Sequence, residues 1–229
     1  IVSGESLLGV SITGWMTRPE LFDAEILKFG AQIVKETNRE VAKFLGINPA
    51  ARTTTVKPSG NASVILQTAS GIHPEHSKNY FRVMQLNKDS ETAKWLEINK
   101  PEMLEESVWS NTGTDYVVYT PCENEDTSIY KEDMKGVKHL KLIELVQNNW
   151  VREGKTEELC YNPLTEHNVS NTVIIDDKKE IIDYIFQNQN NFTAVSFLSS
   201  NGDKDYNQAP FTSILKMEGL IEKYGEGVI

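Results

Sequence analysis

The sequence predicts an α/β fold built mainly from parallel strands. Segments with strand composition alternate with segments of helical periodicity, which is the rhythm of a parallel sheet covered by helices. Two strand segments, around residues 173–175 and 194–198, are nearly continuous apolar runs, as expected of strands buried on both faces. The 229 residues, 39% of them hydrophobic, suffice for one sizeable core, so we expect residues 1–229 to form a single domain.

Each element has its own signal in the sequence. A first helix is predicted at about residues 20–45, because apolar residues recur along one helical face and Gly46 is suited to end the helix. That face comprises Leu21, Ile26, Ile33, Val34, Val41, Phe44 and Leu45. Strands are predicted at residues 53–57, 80–86, 116–120, 169–175 and 192–198, and further helices near residues 90–99, 138–152, 178–188 and 212–224. Residues 110–114 and 121–135 are predicted to be surface loops.

Residues 53–66 carry the strongest indication of a ligand. Threonines and Val56 favour a strand, Pro58 cannot donate to a sheet, and Gly60 lets the backbone approach a ligand closely. Asn61 or Ser63 can cap the helix that follows, so unpaired N–H groups and a positive dipole end converge on one spot that fits a phosphate. By local chemistry alone, the same residues could instead cap a helix and bind nothing. The spacing excludes a Walker loop.

Composition excludes several classes of function. A net charge of -10 argues against a nucleic-acid track, because such tracks depend on clustered Lys and Arg, although one nucleotide can still bind a local pocket of donors. No apolar run is long enough to span a membrane. Two distant cysteines argue against a disulfide scaffold, so the expected location is the cytoplasm. Pro74 lies between His73 and His76, which disfavours a metal site there.

Six short motifs, taken together, are more specific than any one of them. In chain order they are LGVSITG at residues 8–14, TTVKPSG at 54–60, ASGIHP at 69–74, HNVSNTV at 167–173, SFL at 196–198 and QAP at 208–210. In this combination and order the chain resembles the large chain of ribonucleotide reductase, most closely the adenosylcobalamin-dependent (class II) ribonucleoside-triphosphate reductases. The resemblance runs from about residue 8 to about residue 215.

The resemblance implies a fold and a binding site. The family's fold is a ten-stranded α/β barrel, of which this chain would form roughly half, the C-terminal half of the catalytic barrel truncated at both ends. In the family, the loop after the corresponding strand holds the substrate's phosphates through backbone amides and small hydroxyls. The matching residues are Pro58, Ser59, Gly60, Asn61, Ala62 and Ser63. The family often has Thr or Ser where this chain has Asn61 and Ala62, so we expect the amide contacts to persist rather than those hydroxyl contacts. Asn168 and Ser170 are secondary candidates.

The family's catalytic cysteine has no counterpart in this chain. The family removes the ribose 2'-hydroxyl through a thiyl radical on the cysteine of an Asn-x-Cys-x-Glu loop, and neither Cys122 nor Cys160 lies in such a triplet. We therefore expect no catalytic residue here and no turnover by the chain alone. For the intact enzyme, the resemblance implies a ribonucleoside triphosphate substrate, adenosylcobalamin, a thioredoxin-type reductant, the missing N-terminal half of the barrel and a role in supplying deoxyribonucleotides for DNA replication.

Two other functions stay open at this point. The chain could derive from a class I large subunit that reduces diphosphates, or it could be a stand-alone nucleotide- or phosphate-binding module. Half a barrel would also leave open sheet edges and apolar surface, which a homodimer or a rearranged packing would cover.

Overall fold

A computed structural model describes residues 2–199 and 208–213. The helices are α1 (Val2–Glu5), α2 (Ala24–Leu45), α3 (Asn61–Ile65), α4 (Glu91–Asn99), α5 (Gly136–Val146) and α6 (Lys178–Gln187). The strands are β1 (Val10–Ser11), β2 (Thr54–Thr55), β3 (Asn79–Asn87), β4 (Leu104–Glu106), β5 (Asp115–Glu123), β6 (Val173–Ile175), β7 (Phe197–Ser199) and β8 (Phe211–Ser213). A π-helical turn at Gln147–Val151 directly extends α5.

The chain divides into two compact units. Unit 1 comprises Ile1–Glu75 and Thr127–Gly202, and unit 2 comprises His76–Asp126 and Asp203–Ile229. Where the chain leaves and re-enters unit 1, Glu75 and Tyr130 form a parallel bridge. That residues 1–229 form a single domain stays a prediction.

Unit 1 contains a row of neighbouring parallel strands. β1 pairs with β2 in the register Val10↔Thr54, and β6 pairs with β7 in the register Val173↔Phe197. Val56, just after β2, forms a parallel bridge with Val169 on the segment that runs into β6. The row therefore follows the order β1, β2, β6, β7, and the prediction of parallel strands is confirmed for this unit.

Helix α2 has clear start and stop signals. The Asp23 side chain caps it by accepting hydrogen bonds from the amides of Glu25 and Ile26, and Gly46 ends it in the left-handed conformation with φ 67°. The apolar face predicted from the sequence packs only in part, because Leu21 and Val34 lie against the core of unit 1. The fully buried side chains of α2 are those of Leu27, Ala31 and Ala42. Ile26, Ile33, Val41, Phe44 and Leu45 of the predicted face are exposed.

The core of unit 1 lies between the helices α2, α5 and α6 on one side and the parallel strands on the other. Its largest fully buried side chains include Trp15, Met16, Ile72, Leu140 and Ile143. The helix predicted at 138–152 is confirmed as α5 with its π-helical extension, and the helix predicted at 178–188 is confirmed as α6. Because the π-helical turn adds a residue to the helical register, it places Trp150 so that its Nε1 donates to the Thr55 carbonyl at 3.0 Å.

Unit 2 is an antiparallel sheet in the order β4, β5, β3, β8. The prediction of mainly parallel barrel strands is wrong here, because β3 and β5 pair antiparallel along nine residues, and β8 pairs antiparallel with β3. The physical reason is the alternation of Phe81 and Val83 on β3 with Val117 and Tyr119 on β5, which buries one face of a two-sided sheet. The residues that the structure describes form no closed barrel.

Two predicted boundaries in unit 2 are also wrong. Residues 121–123, predicted as loop, belong to β5 because its pairing with β3 continues to Glu123. Residues 212 and 213, predicted to begin a helix, belong to β8, and the rest of that predicted helix lies outside the described residues. Within residues 2–199 and 208–213, no helix is both long and apolar enough to cross a membrane.

Candidate phosphate-binding turn

The predicted binding turn lies directly after a strand of the parallel row. The chain leaves the sheet after Val56, turns through residues 57–60 and enters the short helix α3. Gly60 adopts φ 43° and ψ -107°, a backbone conformation that residues with a Cβ rarely adopt. A Cβ built on Gly60 would have no atom within 4 Å, so the space in front of this residue is open.

A network of short hydroxyl side chains holds the turn in place. The Ser59 amide donates to Ser70 Oγ at 3.1 Å, and the hydroxyls of Ser59 and Thr13 lie 2.7 Å apart. Thr13 Oγ1 donates to the Ala69 carbonyl at 2.9 Å and accepts from the Gly71 amide at 3.0 Å. Because the single Thr13 proton points at Ala69, the Ser59 hydroxyl is the donor in the Ser59–Thr13 bond. Ser59 is thus committed to holding the turn, which leaves backbone amides as the donors for a ligand.

A second turn, at Gly71, packs against the first. Gly71 adopts φ 56°, and a Cβ there would lie 3.0 Å from the Lys57 carbonyl oxygen, so the two backbones touch at this point. The carbonyls on either side of Gly71 are hydrogen-bonded to imidazoles. Ser70 O lies 3.0 Å from Nδ1 of His73, and Ile72 O lies 3.1 Å from Nε2 of His139.

Backbone amides of the turn are free to bind a ligand. Gly60 and Asn61 are exposed, and their N–H groups have no hydrogen-bond partner within the described part of the chain. The Ala62 amide is already used, since it donates to the Ser59 carbonyl at 2.9 Å. Successive backbone N–H groups at a turn with a positive-φ residue are a feature of anion-binding concavities in proteins.

The details of the predicted cap are wrong. Neither Asn61 nor Ser63 caps α3, because Gly60 occupies the N-cap position and makes no side-chain cap bond. The Ser63 hydroxyl instead donates to the Gly60 carbonyl at 2.8 Å. Since α3 has only five residues, a helix dipole adds little here. Pro58 is exposed and, lacking an N–H group, shapes the turn without donating.

The HNVSNTV motif lies beside β2 and is mainly structural. The backbone carbonyl of Asn168 accepts from Thr55 Oγ1 at 2.9 Å, and the Ser170 amide donates to the Val56 carbonyl at 2.9 Å. Asn171 joins neighbouring segments, donating to Val169 O and Ala194 O. The Asn168 side chain differs, because its Oδ1 is buried and meets no hydrogen-bond donor among the described residues. Of this motif, Asn168 is therefore the residue with an unused polar atom.

The buried His139 makes stability depend on pH. Burial lowers the pKa of His139 to about 4, since the desolvation of an imidazolium outweighs the hydrogen bond to the Ile72 carbonyl, and burial also lowers the pKa of His73. An unfolded chain takes up a proton on His139 below a pH of about 6.5, whereas the folded chain does not until about pH 4, so protonation favours unfolding in this window.

We expect the free energy of unfolding to fall by about 2 kcal/mol between about pH 7 and pH 5 through His139 alone. Urea titrations at both pH values measure it. His139→Gln is the matched control, because its amide can still donate to Ile72 O but does not titrate. An equal pH dependence in the two proteins would contradict the assignment to His139.

No family model matches the chain. Two other comparisons with known proteins indicate the class of protein to which its fold and site are similar. A crystal structure of a B12-dependent (class II) ribonucleotide reductase superposes with a TM-score of 0.73 at 15% identity, covering 99% of this chain and 34% of that one. The chain thus has the fold of part of a class II ribonucleotide reductase.

A curated protein that is similar to this chain in sequence has a more specific name. The probable adenosylcobalamin-dependent ribonucleoside-triphosphate reductase of Dictyostelium discoideum is 24% identical over 192 residues, which is 81% of this chain and 23% of the relative. The resemblance inferred from the motifs is therefore confirmed, and the chain spans about a quarter to a third of the length of the proteins it matches.

The sequence analysis missed the residues that hold the turn. Thr13, Ser70 and Gly71 lie in motifs that carried the resemblance, yet no role was derived for them. The sequence does carry one signal that could have indicated them. Thr13 and Ser70 each directly precede a glycine, in two segments that are far apart in sequence. Among the residues that the structure describes, no group of three or more His, Cys, Asp or Glu side chains is placed to hold a metal ion.

Proposed function

We propose that this chain is the phosphate-binding part of a ribonucleotide reductase that reduces ribonucleoside triphosphates by a radical mechanism. The observation that carries the proposal is a pair of exposed amides, those of Gly60 and Asn61, that have no partner among the described residues and lie on a turn fixed by Thr13 and Ser70. The names of the relatives with which the chain shares its fold support ribonucleotides as the ligand.

The chain's own contribution is to bind and orient the substrate. The amides of Gly60 and Asn61 donate to phosphate oxygens, and the open space at Gly60 lets the phosphate come close to the backbone. The hydrogen bonds of Ser59 to Thr13 and Ser70 keep the amides aimed before the ligand arrives, which lowers the ordering cost of binding. Asn168 Oδ1, buried and unused, is a secondary contact point.

The radical chemistry belongs to the rest of the parent enzyme. We propose that an Asn-x-Cys-x-Glu loop outside this chain supplies the thiyl radical, that adenosylcobalamin generates it when bound, and that a thioredoxin-type reductant restores the active site. A cavity of about 650 Å³ on unit 2 has mainly apolar walls. Its Gln208 amide already bonds to Val108 N and Glu106 O, which does not fit a corrin bearing many amide arms. We therefore assign no cobalamin contact to this chain.

A stand-alone phosphate-binding module is the second candidate. One observation favours it, namely that every residue fixing the turn, including Thr13, Ser70 and Gly71, belongs to this chain. The turn can therefore keep its geometry without residues from a missing half of a barrel.

Reconstitution of the reductase tests the proposal. The chain is mixed with the portion of an adenosylcobalamin-dependent reductase that precedes the matched segment, the cofactor and a thiol reductant, and formation of deoxyribonucleoside triphosphate is measured. We expect turnover with both polypeptides and none with either alone. Turnover with diphosphates in place of triphosphates would support a class I parent. Tight nucleotide binding by the chain together with no turnover in a stable complex would favour the stand-alone module.

A further inference from the structure

The parallel strands of unit 1 and the turn at Gly60 are almost free of charged side chains. These elements lie within residues 6–17, 53–72, 168–175 and 192–199. The four segments together contain one charged side chain, that of Lys57, whereas 24% of the residues in the whole chain are charged and the net charge is -10. Burial alone does not explain the difference, because Gly60, Asn61 and Ala62 of the turn are exposed. Within these segments the turn therefore has one positive charge beside it and no carboxylate.

The backbone of Lys57 is fixed on two sides. Its amide donates to Ser11 Oγ at 2.9 Å, and its carbonyl oxygen lies against Gly71, where a Cβ would come within 3.0 Å. The preceding residue, Val56, is fully buried in the core of unit 1. Since successive side chains of an extended segment point to opposite faces, the Lys57 side chain leaves the strand on the face away from that core. The point from which this side chain starts is thus set by β1 and by the turn at Gly71.

The ammonium group of Lys57 is available to a ligand. Lys57 is exposed, and within residues 2–199 and 208–213 its side chain forms no ion pair or hydrogen bond. The cations at the opposite end of β2 differ in this respect. Arg52 pairs with Glu5 at 2.8 Å, and Lys155, which is bridged to Arg52, pairs with Glu166 at 3.4 Å. A cation without a carboxylate partner, beside a turn with free amides, can form charge-assisted hydrogen bonds with an anion.

The spacing of Lys57 and the free amides suits two different phosphate groups. Three residues of chain span at most about 11 Å, so the Cα atoms of Lys57 and Gly60 are no further apart than that. The flexible four-carbon stem of a lysine, together with a row of linked phosphates, covers such a distance. When one phosphate binds the amides of Gly60 and Asn61, a second phosphate of the same nucleotide can therefore reach the ammonium group. The amides are neutral, so the positive charge that offsets a longer phosphate chain comes from Lys57.

We propose that Lys57 pairs with the terminal phosphate of the bound nucleotide and thereby makes this chain prefer ribonucleoside triphosphates to diphosphates. The inference rests on the proposed function, because it requires a phosphate at the turn. A triphosphate carries more negative charge than a diphosphate and extends further from the amides, so it gains more from the ion pair.

Calorimetric titration of the chain with each of the four ribonucleoside triphosphates and its diphosphate tests the assignment. The ratio of the two dissociation constants is compared for the unaltered chain, Lys57→Gln and Lys57→Arg at one magnesium concentration. We expect Lys57→Gln to weaken triphosphate binding about tenfold and diphosphate binding less, since it removes a hydrogen bond between two charged groups. Lys57→Arg should keep most of the preference, because a guanidinium also pairs with phosphate.

Lys141→Gln is the matched control. Lys141 is exposed on α5, and its replacement changes the net charge by the same amount as Lys57→Gln. It should leave both dissociation constants unchanged. Circular dichroism checks that all variants fold.

The salt dependence of binding is a readout that a merely structural role of Lys57 would not change. Added salt screens an exposed ion pair, so the affinity of the unaltered chain for triphosphate should fall more steeply with ionic strength than that of Lys57→Gln. An unchanged ratio of triphosphate to diphosphate affinity in Lys57→Gln would overturn the assignment, as would an equal loss of affinity in the Lys141 control. Absence of nucleotide binding by the unaltered chain would contradict the proposed function together with this inference, whereas an unchanged ratio contradicts the inference alone.

Discussion

Replacing Ser59 by Glu and Gly60 by Val together is expected to weaken binding of a ribonucleoside triphosphate by about 100-fold or more. A like charge forced against a phosphate costs several kcal/mol, and about 2.7 kcal/mol already corresponds to a factor of 100. The Val side chain would fill the open space at Gly60 and would also be strained at φ 43°. Isothermal titration calorimetry with the folded chain measures the effect.

Gly113→Val is the matched control for this double variant. Gly113 also has a positive φ, 66°, and no atom within 4 Å of a Cβ, but it lies in unit 2 and carries no proposed role. It should bind nucleotide as the unaltered chain does. Ser59→Ala is expected to reduce affinity less, because it loosens the turn while keeping the amides. If the double variant binds as tightly as the control, the turn is not the phosphate site.

Replacing Trp150 by Ala is expected to destabilise unit 1 by about 3–5 kcal/mol, the range for truncating a large buried aromatic side chain. Trp150 is only 3% exposed, contacts α2 near Gly30 and donates to the Thr55 carbonyl at the strand that carries the binding turn. Its loss leaves a cavity and removes a hydrogen-bond donor from the Thr55 carbonyl. Urea unfolding followed by circular dichroism measures the change.

Trp95→Ala provides the control for the Trp150 substitution. Trp95 lies on α4 with 58% of its surface exposed, so its removal should change the free energy of unfolding by no more than about 0.5 kcal/mol. Equal destabilisation by the two substitutions would contradict the packing described for unit 1. A shift confined to the Trp150 variant would confirm that the π-helical turn anchors the strands.

The parallel half of the fold could be predicted because its signals are local. These signals are the apolar runs at residues 173–175 and 194–198, Gly46 at the end of α2 and the strand before Pro58, each visible in a few consecutive residues. The antiparallel sheet was missed because the alternation in β3 and β5 is weak at each strand by itself. Its direction follows only from their mutual pairing over a long separation in sequence.

Part of the candidate site could likewise be predicted from local signals, and part of it could not. Gly60 and its neighbours were found because a strand, a proline and a glycine together indicate a turn with free amides. Thr13 and Ser70 were not found, since their role depends on two distant segments meeting at Ser59. The apolar face predicted for α2 packs only in part for a related reason. Periodicity identifies an apolar helix face, but it does not say whether that face packs within the chain or against another polypeptide.

The bridge between Glu75 and Tyr130 has a consequence for how such a protein can change over evolutionary time. Glu75 N–H donates to Ile129 O, and Lys131 N–H donates to Glu75 O, both at 2.9 Å, so the segment between them leaves and returns at one point. Lengthening or shortening that segment costs unit 1 only a slowly growing loop-closure entropy. Insertions and deletions in the loops of residues 76–126 can therefore accumulate while the turn at Gly60 keeps its geometry.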